Sequence, residues 1–201
     1  LKKLFLWNEN DLKSKLRQKG GQDVTEMLKI KSKRTGKTAV TIYPWEAGFY
    51  ENLLLKERFQ LDPEEVRQYF EFTNVTDGLF TVYQRLFNIT FKQIEKPSVW
   101  HEEVLMYEVF DNETNELIGR FYLDMFPRAN KYGHAAAFSV TMGKMTDAGY
   151  TKPTTALVCN FPKPTEFQPS LLTHDNVETY FHEFGHLVHG VLTKSPLMNY
   201  A

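Results

Sequence analysis

Thr173-His174-Asp175-Asn176-Val177-Glu178-Thr179-Tyr180-Phe181-His182-Glu183-Phe184-Gly185-His186-Leu187-Val188-His189-Gly190-Val191-Leu192 is the stretch on which the reading of this chain turns. Its apolar residues recur at helical spacing, which predicts one long helix from Thr173 or Asp175 to about Leu192. Within it stands His182-Glu183-Phe184-Gly185-His186. Positions four apart project from the same side of a helix, so two imidazoles at that spacing can grip one tetrahedral zinc ion. Glu183 then sits beside the metal, where it can hold a water, remove its proton and pass that proton to a departing amine. A chance match to so short a pattern in a chain of this composition is roughly one in seventy, so the surroundings must decide. Val177, Tyr180, Phe181, Leu187, Val188 and Val191 make the helix apolar on nearly every side and predict that it is buried. Three buried polar side chains in one cluster need compensation, and a metal supplies it.

The neighbouring polar residues are less specific. Glu178, four before His182, could accept that ligand's spare ring N–H or pair with a cation, or be an ordinary acid of a helix's first turn. His189, His174, His101 and His134 read as packed or solvated histidines and stay outside the expected metal shell.

Upstream of this helix the pattern predicts a small sheet. Residues 104–110 and 117–123 are rich in β-formers and flank the polar turn Asp111-Asn112-Glu113-Thr114-Asn115, so they read as a hairpin. Residues 135–140 and 154–160 are two further strands separated by a Gly-containing loop, and Pro162, Pro164 and Pro169 punctuate an irregular connection. Farther back the chain reads as helix. A charged stretch over residues 10–19 is broken by Gly20-Gly21, and a second helix runs over residues 44–60 on Trp45, Phe49, Leu53, Leu54 and Phe59. Asp62-Pro63-Glu64-Glu65 starts a third, carrying Val66, Tyr69 and Phe70. A fourth spans residues 76–87 with Leu79, Val82, Tyr83 and Leu86 on one face. Helices, a small sheet and a last long helix make the class α+β, predominantly helical. The expected division is a helical region at 1–90 and a catalytic region at 91–201.

Composition narrows the partners. The 201 residues carry a formal net charge of -1 and no basic cluster beyond a short loop, which gives no reason to expect nucleic acid. No stretch has the apolar length of a membrane span, and the first residues are too short an apolar run for a signal peptide. The 16 Phe and 10 Tyr read as core. Cys159 is the sole cysteine, which excludes intrachain disulfides and fits a reducing, cytoplasmic compartment. The chain begins without Met, which suggests a start inside a longer protein.

Residues 174–186 resemble the zinc-helix segment of the thimet oligopeptidase and neurolysin family, to which bacterial oligopeptidase A and dipeptidyl carboxypeptidase also belong. Gly119-Arg120-Phe121-Tyr122-Leu123-Asp124, Pro127-Arg128, Lys131-Tyr132-Gly133-His134-Ala135, Asn160-Phe161, Lys163-Pro164-Thr165 and Pro169-Ser170-Leu171-Leu172 continue the likeness. Pro44-Trp45-Glu46 and Phe49-Tyr50 resemble a family element whose acid is usually Asp. The likeness covers about residues 40 to 201 and is faint before that.

The resemblance implies a clam-shaped, zincin-like peptidase whose channel admits short peptides. It implies one zinc held by His182 and His186, with Glu183 as general base. The family's third ligand is a Glu roughly twenty-five residues past the second histidine. This chain ends fifteen past it, at Ala201, so it is expected to be a truncated central fragment whose missing C-terminal part is a partner. The resemblance also implies that the strand near residues 135–138 lines the cleft and pairs with peptide backbone. Two functions are open: a zinc metallopeptidase acting on short peptides, or a catalytically incomplete fragment that only binds peptides or partner chains. Retention of Glu183 favours the first.

Overall fold

Burial alternates along the hairpin that follows residue 104, with Tyr107, Val109, Gly119, Phe121 and Leu123 inward, and this inward row carries the fold. The computed structural model describes residues 9–60 and 62–197, so the readings of residues 1–8 and of the chain end lie outside the described residues. The chain divides into two compact units, residues 1–65 and 66–201.

In the first unit α1 (Glu9–Thr35) packs against α2 (Pro44–Phe59). The helix does not stop at Gly20-Gly21 as expected but runs through both glycines. Each costs only about 1 kcal/mol relative to Ala in a helix interior, too little to end a long one. Ile30, Tyr50 and Leu54 form the small core. Of Trp45, Phe49, Leu53, Leu54 and Phe59, whose spacing suggested the helix, Trp45 is 80% exposed and stacks on Tyr43 at 4.7 Å. Leu54 of that set is buried, together with Tyr50 one turn before it. The start signal at Asp62 is used: its carboxylate accepts from the Glu64 N–H at 3.1 Å. The helix it starts, α3 (Pro63–Val66), is a single turn that tightens into a 3-10 turn at Arg67–Tyr69.

The second unit holds the rest. α4 (Phe72–Phe87) begins one turn earlier than the sequence suggested, because Glu71 caps it by accepting from the Asn74 N–H at 2.9 Å. Its end is set by Asn88, whose φ of 54° closes the helix and turns the chain straight into β1 (Ile89–Gln93). That strand is absent from the sequence reading. β2 (Leu105–Asp111) and β3 (Leu117–Asp124) are the expected hairpin, and β4 (Ala136–Thr141) and β7 (Thr154–Val158) the other two expected strands. The Gly-containing loop between them folds into a small separate hairpin, β5 (Lys144–Thr146) with β6 (Gly149–Thr151).

The main sheet runs β1-β2-β3-β7-β4, with every pair antiparallel except β3 and β7. Small and mixed, it makes the class α+β. The long helix α5 (His174–Leu192) lies across β3, β7 and β4, and α4 packs beside it toward β1. Phe184 is fully buried where they meet, within 6 Å of the ring centres of Phe80, Tyr83, Phe91 and Phe121. Two close approaches fix the layers. A Cβ on Gly119 of β3 would stand 2.8 Å from the Pro153 carbonyl oxygen, and one on Gly190 of α5 would stand 3.0 Å from Thr155 Oγ1 of β7. Val82 and Leu86 of α4, grouped by spacing with the buried Leu79, are exposed and line a groove of about 650 Å³ between α4 and α5. No helix among the described residues is long and apolar enough to cross a membrane.

Candidate functional site

Thr173 opens α5 with a reciprocal cap: its hydroxyl accepts from the Asn176 N–H at 3.1 Å, and Asn176 Oδ1 accepts from the Thr173 N–H at 3.2 Å. Downstream, Tyr180, Phe184, Leu187, Val188 and Val191 are buried, which fixes the rotation of the helix on the sheet. At 3.6 residues per turn, His182 and His186 both fall about 160° round the axis from Phe184. They are therefore exposed, on the side of the helix away from its packed face, and Glu183 is half-buried at the flank. The expectation that this helix is enclosed on all sides does not hold. Among the described residues one face packs on the sheet, α4 and Phe161, and the histidine face is open. Burial thus cannot be what brings the histidines together.

Geometry does so instead. The two Nε2 atoms face each other at 3.2 Å, with ring centres 4.9 Å apart and planes at 78°. Two nitrogens each about 2.0–2.1 Å from one tetrahedral ion are about 3.3–3.4 Å apart. The pair therefore has the bite that such an ion needs. Among the described residues no third His, Cys, Asp or Glu brings a ligand atom within 4.8 Å of both. Glu178 gathers with His174 and Asp175, all exposed, and no hydrogen bond joins it to His182 among the described residues. His189 lines the α4–α5 groove with Phe181, Gly185 and Leu192, apart from the pair.

Beside α5, the open edge of the main sheet is β4, which pairs only with β7. Its Phe138, Ser139, Val140 and Thr141 are exposed. At the end of the neighbouring strands lies a polar cluster whose role the sequence reading missed, although its residues belong to the segments that carry the family likeness. Asp124, buried, accepts two N–H bonds from Arg128 (2.7 and 2.8 Å) and one from Trp100 Nε1 (2.9 Å), and Lys131 Nζ lies 2.9 Å from its Oδ1. Burial alone pushes this carboxyl up, but Arg128, Lys131 and Trp100 outweigh it and hold it at about 2. Burial likewise pushes the Cys159 thiol up to about 12; Lys131 opposes this, while the Glu183 and Asp124 carboxylates add to it. Cys159 is thus an inert core residue.

The comparisons with known proteins converge on one group. Residues 4–200 match Peptidase family M3, and the chain belongs to that family. It is 45% identical over 154 residues to a thimet-like oligopeptidase of Dictyostelium discoideum, covering 76% of this chain and 23% of that protein. To saccharolysin of Saccharomyces cerevisiae it is 36% identical over 194 residues, covering 91% and 27%. To oligopeptidase A of Escherichia coli it is 36% identical over 186 residues, covering 92% and 27%. The chain spans about a quarter of the length of these curated relatives. The family match reaches back to residue 4, well before the likeness that short motifs reveal near residue 40.

Proposed function

We propose that the protein is a zinc-dependent metallopeptidase that hydrolyses peptide bonds in short peptides. The observation that carries this reading is the pair of Nε2 atoms 3.2 Å apart on α5, with Glu183 next to one of them in sequence, in a chain of Peptidase family M3. His182 and His186 would hold the ion. Bound zinc lowers the pKa of a water toward neutrality and polarises a substrate carbonyl. Glu183 takes the proton from the attacking water on a carboxylate oxygen and delivers it to the leaving amine nitrogen. Glu178, one turn before His182, would orient that imidazole by accepting from its other ring nitrogen.

Catalytic zinc sites take three protein ligands, so the reading places a third, a glutamate, outside the described residues. The zincin-like region over residues 91–201 then lines one wall of a cleft, and the remainder of the full-length enzyme supplies the other. β4 offers its unpaired edge to the substrate backbone as an added strand. A cytoplasmic address rests on Cys159 being the sole cysteine.

The test is Glu183→Gln in the full-length protein. It removes the base and keeps both imidazoles, so cleavage of a quenched short peptide is abolished while zinc stays bound. Hydrolysis surviving within about tenfold of wild type sinks the assigned role.

A further inference from the structure

β3 and β4 are not neighbours, and the chain between them has to pass over the end of β7. Residues 125–135 make that crossing. Lys131 sits in it with only 3% of its side chain exposed. Its ammonium donates to the carbonyls of Asp124 at the end of β3 (2.9 Å), Phe126 in the crossing (2.7 Å) and Cys159 just past β7 (2.6 Å). One cation thus uses its three N–H groups to tie together both parallel strands and the segment laid over them. The Asp124 carboxylate beside it is itself held by Arg128 and Trp100, so the anchor is rigid. The next residue continues the chain of contacts. Asn160 Nδ2 donates to the Tyr132 carbonyl at 2.9 Å, and the Tyr132 ring stands edge-on to Phe138 of β4 at 5.7 Å. β4 in turn packs against α5. An apolar side chain of similar volume could fill this space, but it would leave three carbonyls and the Asp124 carboxylate without this donor. What the ammonium adds is fixed position.

We infer that Lys131 is a positioning residue for the peptide substrate: by pinning the crossing over β3 and β7 it sets the height and register of the open edge of β4 against α5. The inference rests on the peptidase reading above, and it concerns binding rather than the chemical step. A peptide backbone laid on β4 is held in place only as firmly as β4 is held to β7 and α5.

The experiment uses the full-length protein, Lys131→Met and Lys131→Arg, with zinc content, kcat and KM for one quenched peptide, and amide exchange over residues 136–141. For Lys131→Met the expected result is a KM about tenfold higher with kcat within about threefold of wild type. Zinc stays stoichiometric, and exchange in β4 is faster while the β1–β2 pairing is unchanged. Lys131→Arg keeps a cation beside Asp124 but cannot send three N–H groups from one nitrogen to three carbonyls. It is expected to raise KM about threefold, and it carries the test if the Met variant does not fold. An unaltered KM in the folded variant, or a fall in kcat at constant KM, overturns the inference and leaves the peptidase reading standing. A wild-type protein that cleaves no peptide overturns both.

Discussion

Replacing Asp124 by Asn removes one charge from a buried side chain that Arg128, Trp100 and Lys131 all contact. In the folded chain its carboxyl is held at about 2 against an ordinary 3.8, because Arg128, Lys131 and Trp100 overcome the burial that would raise it. At about 1.4 kcal/mol per pH unit, that fall is worth about 2 kcal/mol of stability at neutral pH. The sign follows from the depressed value. The contribution is complete above about pH 5 and is lost as pH falls through 3.8 toward 2, with about half gone by pH 3. Asn also leaves the buried Lys131 ammonium beside a neutral amide, and breaking a buried pair costs about 3–5 kcal/mol. Asp124→Asn should therefore be less stable than the parent by about 3 kcal/mol at pH 7, and the gap should narrow by about 1 kcal/mol by pH 3. The assay is urea unfolding at pH 7, 5, 4 and 3 with Trp7 and Trp45 replaced by Phe. Trp100, whose indole N–H bonds this carboxylate at 2.9 Å, is then the one tryptophan left in residues 1–201. A gap below about 1 kcal/mol at pH 7, or one that does not change with pH, would refute the account.

Phe184→Ala empties the centre of the aromatic cluster between α4, α5 and the sheet, and it should cost about 3–5 kcal/mol in the same unfolding measurement. A loss under about 1 kcal/mol means that the site collapses around the gap and is not rigidly packed. Thr173→Ala removes one half of the reciprocal cap on α5 and should cost about 1 kcal/mol, with Thr173→Asn close to neutral because Asn caps as well. Equal losses in both variants count against capping as the cause.

Long periodic segments and punctuated turns were legible in the sequence. α5 and its start at Thr173, the β2–β3 hairpin and the strands at β4 and β7 follow from period and turn residues alone. What the sequence could not show is which side of an apolar segment is covered. Trp45 and Phe49 of α2, and Val82 and Leu86 of α4, are as apolar as their buried neighbours, and only the partner surfaces decide between them. The same ambiguity misled the reading of α5. A helix apolar nearly all round looks enclosed, yet its histidine face is open. The strand β1 was hidden because Asn88 turns the chain from helix to strand in one residue, leaving no loop to mark the change. The candidate site divides in the same way. His182, Glu183 and His186 were legible because their relation is local, four residues on one helix. The Asp124–Lys131 cluster was not, because the acceptors of Lys131 include a backbone carbonyl 28 residues downstream, and backbone carbonyls carry no sequence signature.

The insertion of β7 between β3 and β4 also orders events in time. β1, β2 and β3 can zip as a local meander soon after synthesis, since each pairs with the next along the chain. β3 must then wait with a bare edge, and with Phe121 and Leu123 uncovered on its face, until residues 154–158 have left the ribosome and can lie parallel to it. The helix that shields those side chains is made later still. Non-local pairing of this kind is slow, and an unpaired apolar edge is a template for other chains. Aggregation during expression should therefore start at β3, and a chain stopped short of residue 154 should be far less soluble than one that reaches Leu192.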